Sequence, residues 1–167
     1  ESNGDIEKAI EWLRKKGINT AQKKSSRIAS DGLITILTID SSAIMLEVNV
    51  ETDFVAKNEI FSNFCKNLAD TGLNSSAKDV ESLLLSNFFG SDKKVKDVLT
   101  EQISKLGENI IIKRFVKFDN KELFYQRYLH NSVNENSGKI GVLLSYSCSK
   151  ISNDVKELSP YNSLVEA

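Results

Sequence analysis

Apolar positions recur at helical spacing at the start of the chain. Ile6, Ala9, Ile10 and Leu13 fall at i, i+3, i+4 and i+7, with Asp5 placed to cap them. The pattern predicts a helix to about Lys16, and Gly17 suits a left-handed stop after it. A polar stretch, about 20–30, follows as a second helical piece with the look of a connector. One helix cannot bury its own stripe, so this one docks on the rest of the chain or on companions outside this sequence.

From Leu33 the period changes. Residues 33–39 are rich in β-branched and apolar types, Asp40-Ser41-Ser42 reads as a turn, and 43–50 alternate. Ile44, Leu46, Val48 and Val50 face one way, while Met45, Glu47 and Asn49 face the other, which predicts a hairpin with a half-buried second strand. Helical spacing returns with Phe61, Phe64, Cys65 and Leu68, and Gly72 lies past the expected end. Ser76 to Asp79 has capping-box spacing before a short helix with Val80, Leu83 and Leu84. Gly90-Ser91-Asp92 breaks the chain. The next helix carries Val95, Val98, Leu99, Ile103 and Leu106, and Gly107 stops it. Three strands close the pattern, at about 110–118, 123–130 and 139–147. The first two are joined by Asp119-Asn120-Lys121, which reads as a short hairpin turn, and a polar linker, 131–137, reads as mobile. The order of elements predicts an α+β fold, a small antiparallel sheet with helices packed on one side.

A chain of 167 residues fits one domain, or one and a fraction, and is long enough to bury a core without staples. Its net charge of −1 argues against a protein held mainly by phosphate backbones. Arg14, Lys15, Lys16, Lys23, Lys24 and Arg27 cluster locally and read as a solvated helical face. Cys65 and Cys148 are far apart and in no Cys-x-x-Cys pair, as suits a reducing compartment; Cys65 lies on an apolar stripe and reads as a buried, inert thiol. No apolar run spans a bilayer and no signal peptide opens the chain, which begins abruptly, as a trimmed fragment does.

Candidate chemistry is sparse. The single histidine, His130, has no obvious partner acid, and no His/Cys set has zinc spacing. There is no phosphate loop, dinucleotide fingerprint or Gly-x-Ser-x-Gly elbow, and the carboxylates are scattered. These absences favour a binding protein with no catalytic residues and no cofactor or metal. Two other readings stay open. One is an α+β enzyme built around His130. The other is an RNA-binding sheet using Arg114, Phe115, Phe118, Phe124, Tyr125, Arg127 and Tyr128, although the RNA-recognition strand motif is missing.

The most informative stretch is Glu47-Val48-Asn49-Val50-Glu51-Thr52-Asp53-Phe54-Val55-Ala56-Lys57-Asn58. It starts as a strand and ends as the start of a helix, with turn-favouring Thr52 and Asp53 and a large ring where the backbone changes direction. This run resembles the signature of the elongation factor Ts family. Supporting pieces occur in family order. Residues 5–17, from Asp5 to Gly17, look like the closing helix of that family's small UBA-like N-terminal domain. The segment with Lys23, Lys24, Arg27, Ala29 and Gly32 looks like its connector. Leu106-Gly107-Glu108-Asn109-Ile110, Tyr128-Leu129-His130 and Gly138-Lys139-Ile140-Gly141-Val142-Leu143 resemble its core. Val50 stands where the family often has cysteine, and Asn131-Ser132-Val133 stands where it tends to be glycine-rich.

The resemblance implies four segments. They are 1–19, a remnant of the N-terminal helical domain; 20–32, a connector; 33–147, the core with its first subdomain and the start of a second; and 148–167, an irregular tail or truncated second subdomain. It implies a non-catalytic guanine nucleotide exchange factor that binds elongation factor Tu, a GTPase, and promotes GDP release during translation elongation. Partner contact would come from Thr52, Asp53, Phe54, Val55, Ala56, Lys57, Asn58 and His130. Phe54 would act as the wedge. Asp53 would cap its own helix or repel charge near the partner's magnesium, and the sequence does not separate these. Thr52 and Asn58 would fix the loop, with Val55 and Ala56 packed beneath it. The implied location is the bacterial cytoplasm, with an organellar matrix or stroma as the other option. No membrane or direct nucleic-acid partner is implied, and a homodimer stays open. The alternative within the family is a docking module that binds the GTPase without efficient exchange.

Overall fold

The computed structural model describes residues 5–147. Its elements run α1 (Ile6–Lys24), β1 (Asp31–Ile39), β2 (Ser42–Val50), α2 (Asp53–Ala56), α3 (Glu59–Asn74), α4 (Val80–Leu84), α5 (Val95–Leu106), β3 (Ile110–Asp119), β4 (Phe124–Asn134) and β5 (Ser137–Tyr146). The five strands form one antiparallel sheet in the order β3-β2-β1-β5-β4, with helices packed against it. This is the α+β architecture that the alternation of periods predicts. No helix among the described residues is long and apolar enough to cross a membrane.

The alternating apolar positions of β1 and β2 decide which face carries the helices. Leu33 and Leu37 on β1 and Ile44, Leu46, Val48 and Val50 on β2 are buried on one face, against Phe61, Phe64, Cys65 and Leu68 of α3 and Val95, Val98 and Ile103 of α5. Each large side chain sealed there contributes about 1.5–3 kcal/mol. A bulge between Glu47 and Val48 in the β2–β3 ladder resets the alternation of β3 by one residue, so that Ile110 and Ile112 before it and Phe115 after it all meet this core. Lys117, also on β3, donates from Nζ to the carbonyls of Leu73 and Ser75 (2.6 and 2.9 Å) and so satisfies the end of α3. Burial pushes the Cys65 thiol well above its ordinary range, in keeping with the inert buried thiol read from the stripe; Cys148 lies outside the described residues.

The β4–β5 hairpin joins β1 through only two rungs, Ile34 with Gly138 and Thr35 with Ser137. A buried hydroxyl pair, Thr35 and Ser137 (2.8 Å), marks the join. Farther along, Gly141 passes so close to Ile34 and Ile36 that an added Cβ would strike Ile34. Arg127 pins the hairpin from β4, donating from Nη1 to the Ile36 carbonyl (2.7 Å) and the Asn136 side chain (2.6 Å).

Five local expectations are corrected. Asp119-Asn120-Lys121 is not a hairpin turn: β3 pairs with β2 and β4 with β5, so the strands on either side of it lie at opposite edges of the sheet, and a short polar connection looks the same in sequence either way. Gly17 does not stop a helix: α1 runs through it to Lys24, and Gly17 is buried where α1 crosses α5 at Thr100. A glycine at a helix crossing gives close approach without any need for positive φ. The front of the α1 stripe, Ile6, Ile10 and Leu13, remains exposed. Gly72 likewise lies inside α3, where a Cβ would run into Ile44 Cδ1 of β2. The cap of α4 is Asp79, whose carboxylate accepts from the Ser82 N–H (2.7 Å) while Ser82 Oγ accepts from the Asp79 N–H (3.2 Å). Asp79 directly precedes the apolar run, so it outcompetes Ser76. Residues 131–137 are not a mobile linker. β4 continues to Asn134, and the chain turns at Glu135 and Asn136 straight into β5. Backbone pairing there needs no apolar alternation, which is why the period gave no sign of it.

Candidate interaction site at the sheet-to-helix junction

The last rung of the β2–β3 ladder is Val50 opposite Ile110. Beyond it Glu51 and Thr52 leave the sheet, and Thr52 takes the extended conformation of an N-cap (φ −127°, ψ 155°). Its Oγ1 accepts from the Val55 N–H (3.4 Å), and its carbonyl accepts from Ala56 (3.1 Å). A single turn of helix follows, closed by Lys57 N–H to the Asp53 carbonyl (3.0 Å) and Asn58 N–H to the Val55 carbonyl (2.9 Å). Asn58 then caps α3, its side chain accepting from the Ile60 N–H (2.8 Å).

One helical turn has an inside and an outside. Ala56 is fully buried and Val55 packs against the core, so the remaining positions face outward. Phe54 is 82% exposed, an unusual situation for a ring on a segment this well anchored. Asp53 and Lys57 flank it as an ion pair one turn apart (2.8 Å). The hydrogen bond from Lys57 holds the Asp53 carboxyl below its ordinary range and raises Lys57 in turn. The Asp53 carboxylate therefore has its partner on its own turn, while the cap comes from Thr52. Nearby, Lys139 of β5 pairs with Asp31 at the start of β1, and that hydrogen bond, with one from the Gly32 N–H, keeps the Asp31 carboxyl low. Both carboxylates are thus paired within the chain, and the Phe54 ring stands exposed beside the Asp53–Lys57 pair. Among the described residues no cluster of His, Cys, Asp and Glu is arranged to hold a metal.

The contiguous site residues, 52–58, thus form one unit. His130 stands apart from it on β4, exposed, opposite Ile140, with its ring stacked on Tyr128 (6.3 Å) and Nδ1 3.1 Å from the Tyr128 hydroxyl.

Sequence reasoning missed what holds the junction. Glu108, just after α5, accepts from the Thr52 N–H (3.0 Å) and from Thr52 Oγ1 (2.6 Å). In the opposite direction, Glu51 accepts from the Asn109 N–H (2.6 Å) and lies 3.7 Å from Arg27, while the Asn109 side chain donates to the Arg27 carbonyl (2.8 Å). The signal available was a polar Glu-Asn pair wedged between the Gly107 stop, which does adopt φ 77°, and the apolar run from Ile110.

The family profile described as Elongation factor TS matches residues 51–160. The elongation factor Ts of Clostridium acetobutylicum is 43% identical over 161 residues, which cover 95% of this chain and 51% of that protein. That of Bartonella quintana is 43% identical over 145 residues, covering 87% and 47%, and that of Rhodospirillum centenum is 40% identical over 145 residues with the same shares. The chain spans about half the length of the curated relatives it matches. The matched segment begins at Glu51, at the foot of the Phe54 turn, and takes in every element after it, so this chain belongs to the elongation factor Ts family.

Proposed function

We propose that this protein binds elongation factor Tu and promotes release of its GDP, without covalent chemistry of its own. The observation that carries the reading is Phe54, held 82% exposed on a turn capped at both ends. GDP in such a GTPase is held partly through magnesium, whose octahedral shell tolerates little displacement. A ring entering between the elements around that metal loosens metal and nucleotide together. Complete burial of one such ring is worth about 1.5–3 kcal/mol, comparable to the coupling energies of about 1–3 kcal/mol typical of allosteric systems. Phe54 thus supplies a useful share of the effect, with residues 52–58 as the contact unit and His130 as a second contact. Linkage requires reciprocity: if the protein weakens GDP binding, GDP weakens binding of the protein by the same factor.

Docking on the GTPase without efficient exchange is the second reading, since the same exposed, well-anchored turn would serve binding alone. Release of fluorescent GDP from elongation factor Tu separates the two. Acceleration that rises and saturates with added protein supports exchange. Co-purification with nucleotide-free elongation factor Tu but unaltered GDP release supports docking alone, and neither result removes the partner.

A further inference from the structure

We propose that Glu108 is a positioning residue for Phe54, acting through Thr52; this rests on the reading of Phe54 as the working side chain. The β2–β3 ladder ends at Val50 and Ile110, but the two segments remain tied past that rung by a crossed pair of carboxylates. Glu51 reaches over to the backbone of Asn109, and Glu108 reaches back to the backbone and hydroxyl of Thr52. Neither contact belongs to the sheet or to a helix. Together they convert the frayed end of the β2–β3 ladder into a fixed bracket.

The position of the bracket matters. Thr52 is the N-cap of α2, and its hydroxyl has one proton to give and lone pairs to receive. Glu108 takes that proton, which leaves the oxygen free to accept from the Val55 N–H. A carboxylate at Glu108 therefore sets the direction of the cap as well as the position of the chain. α2 is only one turn long, too short to persist unaided, so its existence depends on its ends. Phe54, two residues beyond Thr52, makes almost no contact of its own to steady it. Asn58 holds the far end; Glu108 holds the near one. Glu108 is a charged acceptor that serves two donors of one residue, the backbone N–H and the hydroxyl of the Thr52 cap.

The test uses the full chain and two readouts. The first, amide hydrogen exchange of residues 53–58 in the free protein, needs no partner. Glu108→Ala and Glu108→Gln are each expected to speed exchange there about tenfold or more, as loss of charge-assisted hydrogen bonds at a helix end permits, with α3 amides 64–72 unchanged. Glutamine has one oxygen for two donors, so it restores at most half the bracket; Thr52→Ser, which keeps the hydroxyl, should stay near the parent rate and Thr52→Val should not. The second readout is GDP release from elongation factor Tu. Glu108→Gln should slow it about tenfold when Phe54 is present and have no further effect in the Phe54→Ala background. Unchanged amide exchange at 53–58 overturns the positioning role. Faster amide exchange with unaltered GDP release overturns its functional consequence. If Phe54→Ala alone leaves GDP release intact, the wedge reading fails instead, and the amide data still decide whether Glu108 sets the turn.

Discussion

Replacing Phe54 with alanine tests the proposed wedge while taking almost nothing from the packing of the fold. The ring is 82% exposed, so removing it takes almost no packing from the folded protein. The position lies in a helical turn, where alanine is favoured over phenylalanine by at most about 0.7 kcal/mol. Folding stability in urea should accordingly stay the same or rise slightly. If the ring is buried when elongation factor Tu is engaged, its loss removes about 1.5–3 kcal/mol of interaction. At about 1.4 kcal/mol per factor of ten, that is a drop of roughly 10- to 150-fold in the catalysed rate of GDP release. Stopped-flow release of fluorescent GDP, measured at several protein concentrations, reads it directly. Equal rates for parent and variant would refute the wedge. A loss of folding stability of several kcal/mol would refute the exposed placement of the ring.

Other predictions follow from the fold. Gly32 has φ 152°, and a Cβ there would meet the backbone of Val48 and Asn49, so Gly32→Ala should cost about 3 kcal/mol or more by urea denaturation. Thr35→Val strands the buried Ser137 hydroxyl and should cost about 1–3 kcal/mol, whereas adding Ser137→Ala should recover much of it; a double-mutant cycle without such coupling would dismiss the pair. The Asp31 carboxyl titrates below its ordinary 3.8 because Lys139 bonds it, so its contribution is present above that pH and is lost as pH falls through the lowered folded value. Melting temperature should therefore drop more steeply below about pH 4 in the parent than in Asp31→Asn.

Where side chains alternate between water and core, the pattern was legible. Ile44, Leu46, Val48 and Val50 announced β2, and Phe61, Phe64, Cys65 and Leu68 announced the inner face of α3, because burial imposes the period of the backbone on the sequence. Gly17 and Gly72 misled for a definite reason. A glycine chosen for close approach, to Thr100 in one case and Ile44 in the other, looks in sequence like a glycine chosen for positive φ, and only the neighbour distinguishes them. At the junction, the caps at Thr52 and Asn58 could be anticipated because each acts within a few residues of itself. The bracket from Glu108 and Glu51 could not, since it joins residues more than fifty positions apart and no periodicity links a carboxylate to a backbone N–H on a distant segment.

If the turn is the contact unit proposed above, Ala56, fully buried beneath it, carries a consequence for the speed and economy of recognition. A binding loop that must first settle into shape loses affinity to its own ordering, typically about 0.5–1.5 kcal/mol for each side chain immobilised. Here the backbone from 52 to 58 is already seated before any visitor arrives, so that toll falls chiefly on the rotation of one aromatic side chain. An encounter can then succeed on a large share of correctly oriented collisions instead of waiting for a rare conformation.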